Sequence, residues 1–315
     1  MNGINQTCMP IKTNTQFNVK QITKRKNMTN IIVKYILLLF TFITVITTLG
    51  IIISLIKDSA GFFEKVTLKE FLFGTQWTPL FSEPKFGVLP LITGTMVISI
   101  ISAVISIPIG LFTAIYLSEY ANKTIRKIVK PVLEILAGIP SIVFGYFALT
   151  LITPAIKNIF SSTEVFNALS ASIAIGIMTI PLVSSLSEDA LRSVPDSIRH
   201  GALALGSTKM EMSLRVVVPA AISGISASFV LAISRAIGET MIVTIAAGAR
   251  PNLTLNPLES VQTMTSFIVQ ASQGDNPHGT TGYYALFAVG LLLFVLTLVL
   301  NIISSSIVKK YRKEY

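Results

Sequence analysis

The 315-residue chain is 51% hydrophobic and only 13% charged, whereas a soluble domain carries about a quarter charged residues; this excludes an ordinary soluble enzyme and indicates a polytopic membrane protein. Its net charge of +10 reflects 25 Lys and Arg against 15 Asp and Glu, but the cations cluster beside apolar runs as the positive-inside rule expects, so no nucleic-acid partner is implied. The single cysteine, Cys8, permits neither an internal disulfide nor a thiolate metal site.

Residues 1–30, rich in Asn, Thr and Lys, read as a flexible cytoplasmic tail, and 31–315 as one transmembrane domain. About 20 apolar residues cross the hydrocarbon. Six segments reach that length, roughly 35–56, 91–117, 132–156, 165–187, 216–248 and 283–307. Lys20, Lys24, Arg25, Lys26 and Lys34 precede the first; Lys123, Arg126, Lys127 and Lys130 follow the second; Lys309, Lys310, Arg312 and Lys313 close the chain. These groups share one side when both termini are cytoplasmic. The expectation is therefore an all-α protein of six transmembrane helices with both ends inside. The opposite loops, 57–90 and 249–282, then face outward, with Trp77 and the phenylalanines near it as candidate membrane-interface anchors.

The second span carries Thr95, Ser99, Ser102, Ser106, Gly110 and Thr113 on one helical face. Two readings stand: close helix packing through small residues, or a wall of a translocation path to which Ser99, Ser102 and Ser106 offer hydroxyls. Gly138, Pro140 and Gly145 predict a kink in the third span. The cytoplasmic loop 188–215 is the most hydrophilic stretch between spans. Pro195 favours a helix start, the run from Asp196 reads as a short helix capped by Gly206, and Thr208 with Glu211 forms a capping box for the next helix.

That helix leads into the fifth span, where Ser234-Arg-Ala-Ile-Gly-Glu-Thr240 places Arg235 and Glu239 one turn apart, on one face of a continuous helix. A charge at the bilayer centre costs roughly 2.5–3.5 kcal/mol on insertion scales, so such residues pair, face a cavity or serve function. One reading is a structural ion pair that locks helices together. The other is an anion path, because the planar guanidinium fork suits oxyanion oxygens. Movement at Gly206 would reach Arg235 through one nearly continuous helix, with Pro219 as its flexible point. No histidine lies within a span, which argues against an intramembrane hydrolase, and neither His200 nor His278 has a metal partner in the sequence. Gly206-Ser-Thr-Lys209 lacks the phosphate-loop spacing, so no nucleotide site is read there.

Several of these segments resemble one family. His200-Gly201-Ala202, then Gly206, then Val216-Val217-Val218-Pro219 keep the spacing of the coupling loop of ABC importer permeases, whose pattern is Glu-Ala-Ala, Gly and Ile-x-Leu-Pro; the first two positions differ here. Ser234 to Met241, Leu136-Ala-Gly-Ile-Pro-Ser141 followed by Gly145, Phe86-Gly-Val-Leu-Pro90, and Ile115-Tyr-Leu-Ser-Glu119 resemble segments of phosphate permeases of the PstC type. The resemblance implies a type I ABC importer architecture in a prokaryotic plasma membrane. It implies no cofactor and no enzymatic activity of the chain's own. It implies import of inorganic phosphate with a PstA-type permease partner, two PstB-type ATPase subunits and an extracytoplasmic phosphate-binding protein, and ATPase coupling through His200, Gly201, Ala202, Gly206 and Pro219. An ATP-independent secondary transporter or channel for an anion is the alternative; it would need no coupling loop and often shows inverted repeats, and no convincing repeat is present.

Overall fold

The computed structural model describes residues 15–79, 81, 83–274 and 277–311. Among these residues the regular structure is helical apart from one antiparallel bridge, Trp77 to Phe86. The chain divides into two compact units, 1–54 and 55–315.

Helix α1 (Thr15–Phe63) supplies the first unit. It starts inside the stretch expected to be a tail; residues 1–14 and the side chains of Lys20, Lys24, Arg25 and Lys26 lie outside the described residues, as do the side chains of Lys309, Lys310, Arg312 and Lys313. Residues 30–51 are all exposed, as suits an apolar helix whose solvent is lipid. Thr41, Thr44, Thr47 and Thr48 donate their hydroxyls to the carbonyls one turn back, each at 2.9 Å. Each polar group is thereby satisfied within the helix, which a bilayer demands.

The second unit opens with the end of α1 and the short helix α2 (Leu68–Phe73), capped by Thr67, whose hydroxyl accepts from the Glu70 amide. A hairpin follows, held by Thr78 N–H to the Lys85 carbonyl at 2.8 Å and Gly87 N–H to Gln76 at 2.9 Å. Trp77 is not an interface anchor: it is 1% exposed, packed edge-on against Phe267, Phe71 and Phe86 with ring centres 4.8, 6.3 and 6.4 Å away. Such edge-to-face pairs favour one arrangement of the cluster.

Helix α3 (Leu89–Ile115) is the second span, prolonged by a π-helical turn to Tyr120. Helix α4 (Lys123–Ala137) buries none of its residues. The expected third span of 132–156 is displaced: Gly138 caps α4, Pro140 adopts extended backbone, and the span runs through α5 (Ser141–Phe147), a π-helical turn and α6 (Thr153–Ile159). The residue before a proline is pushed out of the helical region, so the anticipated kink is a complete break.

Helix α7 (Ala168–Arg192), started by the Asn167 side chain accepting from the Ser170 amide, is the fourth span. The loop helix α8 (Asp196–Ala204) follows Pro195. Then come α9 (Lys209–Glu211), a π-helical turn, α10 (Val218–Ala220) and α11 (Ile222–Ile237). Lys209–Ala220 and Ile222–Ile237 meet at 72°, so the expected continuous fifth helix is bent at Ala221. Helices α12 (Met264–Gln273) and α13 (Thr281–Tyr311) complete the chain. Among the described residues five helices are long and apolar enough to span, or six spans when the bent pair counts as one.

Gly74 and Gly87 bring the hairpin's two ends into backbone contact: a Cβ on Gly74 would lie 2.5 Å from Gly87 Cα, and one on Gly87 would fall inside the Gly74 backbone. Gly87→Ala is expected to destabilise the protein by about 1–3 kcal/mol, because the clash is with main chain and cannot be relieved by a rotamer change. A thermal melt of the detergent-purified protein checks this; an unchanged midpoint would show that the hairpin yields.

Candidate functional site

Two regions at opposite ends of α3 and α7 concentrate the polar groups of this apolar chain. The first is the loop after α7. Its local chemistry follows the sequence closely. Gly206 sits at φ +87°, the left-handed conformation that glycine adopts without strain. Its N–H bonds the Leu203 carbonyl at 3.0 Å and the Ser207 N–H bonds Ala202 at 3.2 Å, the paired bonds of a Schellman cap. Thr208 and Glu211 exchange the capping-box bonds, Glu211 N–H to Thr208 Oγ1 at 3.3 Å and Thr208 N–H to Glu211 Oε2 at 3.0 Å. His200 and Gly201 are exposed, Ala202 is buried against the ends of the spans, and Pro219 lies at the start of α10. Around the cap, Leu203, Leu205 and Met210 are exposed, Leu205 to 90%. Apolar side chains presented on a polar loop mark a surface for a partner.

Buried ion pairs fasten this end. Arg199, on α8, is 14% exposed and faces Glu119, 4% exposed, at 3.2 Å. Glu188, 1% exposed on α7, is met by Arg126 at 2.5 Å, Lys130 at 3.6 Å and Arg192 at 3.9 Å. Burial works against the Lys130 charge, but the hydrogen bond to Asp189 and the attraction of Glu188 and Asp189 win and raise its pKa. Partner charges of this kind compensate carboxylates removed from water.

The second region is the break after α11. Helix α11 ends at Ile237 with Gly238 as its cap, so Arg235 and Glu239 do not occupy one continuous helical face, and no ion pair joins them among the described residues. The expected pair is replaced by a cap. Glu239 Oε1 accepts from the Met241 N–H at 3.1 Å and the Ile242 N–H at 3.3 Å, placing its charge at the amino end of the next helical turn, where the backbone dipole favours an anion. The Glu239 carbonyl accepts from Thr265 Oγ1 at 2.7 Å. Thr240 and Thr244 hydroxyls bond carbonyls of the same segment at 3.1 and 2.6 Å. Arg235 is exposed on the last turn of α11, and its guanidinium has no hydrogen-bond or ion-pair partner among the described residues. The signal for the helix end is Gly238, three residues after Arg235, a residue type common just past the last turn of a helix.

The polar stripe of α3 faces α7. Thr95, Ser99, Ser102 and Ser106 are all buried. Ser99 Oγ bonds the Thr95 carbonyl at 2.7 Å, and Ser102 Oγ bonds Ile98 at 2.7 Å and crosses to the Ser172 carbonyl of α7 at 3.0 Å. A Cβ on Gly110 would lie 2.7 Å from Val183, and one on Gly176 3.0 Å from Ile105. This is close packing through small residues. Only Ser99 also borders an open groove of about 670 Å³ between α3, α11 and α13, whose other lining residues are apolar.

Residues 106–313 match the model of the family described as binding-protein-dependent transport system inner membrane component. The chain belongs to that family. It is 36% identical over 228 residues to a probable ABC transporter permease protein, YqgH, of Bacillus subtilis strain 168, covering 72% of this chain and 74% of the relative. It is 31% identical over 265 residues to the phosphate transport system permease protein PstC of Xylella fastidiosa strain 9a5c, covering 78% and 80%. The fold resembles a chain of a bacterial alginate ABC transporter solved in complex with an alginate-bound periplasmic protein, with TM-score 0.65, 16% identity, and coverage of 91% of this chain and 98% of that one. The chain is thus a multi-pass membrane component of an ABC importer, and the ATP-independent transporter or channel is not favoured.

With Cys8 replaced by Ser, a cysteine at Ser102 or Ser106 is expected to resist a membrane-impermeant maleimide in resting and ATP-driven complexes alike, because the seam excludes water. Modification in either state would put the stripe on the path.

Proposed function

We propose that this chain is the PstC-type permease subunit of an ATP-driven importer of inorganic phosphate, paired with a PstA-type subunit, driven by two PstB-type ATPases and supplied by an extracytoplasmic phosphate-binding protein. Both termini and the α8 loop face the cytoplasm, as the distribution of Lys and Arg favours. The loop, through the exposed His200, Gly201, Leu203, Leu205 and Gly206, seats on the ATPase, while Ala202 packs α8 onto the span ends and Pro219 lies just before the bend at Ala221 rather than at it. The opposite loops, 57–90 and 249–282, receive the binding protein.

The observation that carries the substrate class is the state of Arg235. It is a permanent cation on an apolar helix, beside a carboxylate already committed to two backbone N–H groups. A guanidinium so placed retains its donors for an oxyanion. Glu239 then acts by shaping the break and by keeping negative charge close, so that the anion is held weakly enough to leave. Relatives named as phosphate permeases support phosphate as the oxyanion. Ser99, Ser102 and Ser106 contribute by closing the α3–α7 seam behind the path.

In the reconstituted complex, Arg235→Gln is expected to lower ATP-dependent phosphate uptake about tenfold or more while assembly persists, since a hydrogen bond to a charged group contributes about 1.5–3 kcal/mol. Glu239→Gln keeps an oxygen for the Met241 and Ile242 amides and should be milder. Uptake at the wild-type rate in Arg235→Gln would remove Arg235 from the path.

A further inference from the structure

The capped loop leaves open how motion at α8 enters the membrane. The obvious route, straight along the chain into α11, is mechanically poor. It leaves α8 at the Gly206 turn and then passes through the 72° bend at Ala221. A push along either axis is not carried straight through such a bend.

A second connection is more direct. The Arg199 guanidinium donates from Nη2 to the Leu191 carbonyl at 2.8 Å, from Nη1 to the Val194 carbonyl, and from Nη2 and Nε to Glu119 at 3.2 and 3.4 Å. Leu191 is in the last turn of α7, and Glu119 is in the π-helical turn that ends the second span. One side chain therefore ties α8 to both spans. Its fixed fork can hold several acceptors at once, which an ammonium does less well. Asp196, in the first turn of α8, receives the remaining donor at 3.2 Å, keeping the fork oriented from its own helix.

We infer that Arg199 is a positioning residue of the coupling apparatus, fastening α8 to the ends of α3 and α7 so that displacement of α8 drives these two spans as one body. This rests on the proposed seating of α8 on an ATPase. The packed α3–α7 seam carries the displacement to the opposite end. There Thr95 of α3 accepts from the Met264 amide at 3.1 Å, and Asn167, which caps α7, donates its N–H to the Ala246 carbonyl at 3.0 Å. Thr265, adjoining Met264, bonds the Glu239 carbonyl. The break beside Arg235 is thus reached through the second and fourth spans.

The test uses the complete complex in proteoliposomes, reading subunit assembly, ATP hydrolysis and phosphate uptake in wild type, Arg199→Gln and Glu119→Gln. The inference expects phosphate moved per ATP to fall about fivefold or more in Arg199→Gln, the lower end of coupling factors between linked sites, with hydrolysis and assembly retained. Glu119→Gln, which loosens only the α3 arm, should show a smaller fall in the same ratio. If Arg199→Gln does not assemble, the fall in Glu119→Gln decides. An unchanged ratio in the assembled variants, or uptake and hydrolysis falling in proportion, overturns the lever while leaving the phosphate reading intact. A wild-type complex that hydrolyses ATP but moves no phosphate overturns that reading, and the inference with it.

Discussion

The seam between α3 and α7 is the contact on which the rest depends. In lipid, apolar surface gives helices little reason to associate, so close approach and internal hydrogen bonding must do it. This chain supplies both. Gly110 and Gly176 admit Val183 and Ile105 from the facing helix, and Ser102 bonds across to Ser172. Thr179 returns its hydroxyl to Ile175 and Gly176 at 2.8 and 3.0 Å. The polar stripe is therefore spent on satisfying backbone and on narrowing the interhelical gap. A wider seam would leave those hydroxyls in hydrocarbon without partners, a costly alternative. Among the described residues the two spans are the most extensively packed pair of elements, and both polar regions are built on their ends.

Charge is distributed according to that frame. At the α8 end, buried carboxylates Glu119 and Glu188 each sit against cations from another element. Such pairs contribute little net stability when complete, but removing one partner exposes the full cost of the other. They act as latches that fix which elements touch. At the α11 break the arrangement is the opposite. The carboxylate of Glu239 is satisfied by main chain, and the guanidinium of Arg235 has no partner among the described residues.

What the sequence makes legible is what depends on neighbours close in the chain. Pro195, Gly206, Thr208 and Glu211 each dictate a local conformation or cap, and each occupies the place their chemistry requires. The hydropathy of the spans is equally local, and most of their positions follow from it. Two of the differences share one cause, a helix that ends where hydropathy alone carries on. Arg235 and Glu239 have the i,i+4 spacing of helical neighbours, but Gly238 ends the helix between them. The kink that Gly138, Pro140 and Gly145 predict in the third span is a complete break, with extended backbone at Pro140. Arg192 is an i,i+4 neighbour of Glu188, but Arg199 and Arg126 are distant in sequence from Glu119 and Glu188, so nothing in residue spacing announces them as partners.

The break in α11 also explains why a carboxylate is needed there when it does not pair with the arginine. Interrupting a helix at membrane depth frees backbone groups that lipid cannot satisfy. Glu239 takes the amides of Met241 and Ile242, Thr240 bonds the Gly238 carbonyl, and Thr265 covers the Glu239 carbonyl. These are short-range bonds made largely within the segment, so the break can persist while the spans around it shift. In a continuous helix, Glu239 would instead be free to meet Arg235, and an intramolecular carboxylate would compete with any incoming oxyanion for the same donors. Ending the helix at Gly238 removes that competitor while keeping its charge nearby. On the proposed function, the glycine is what separates a neutralised arginine from an available one.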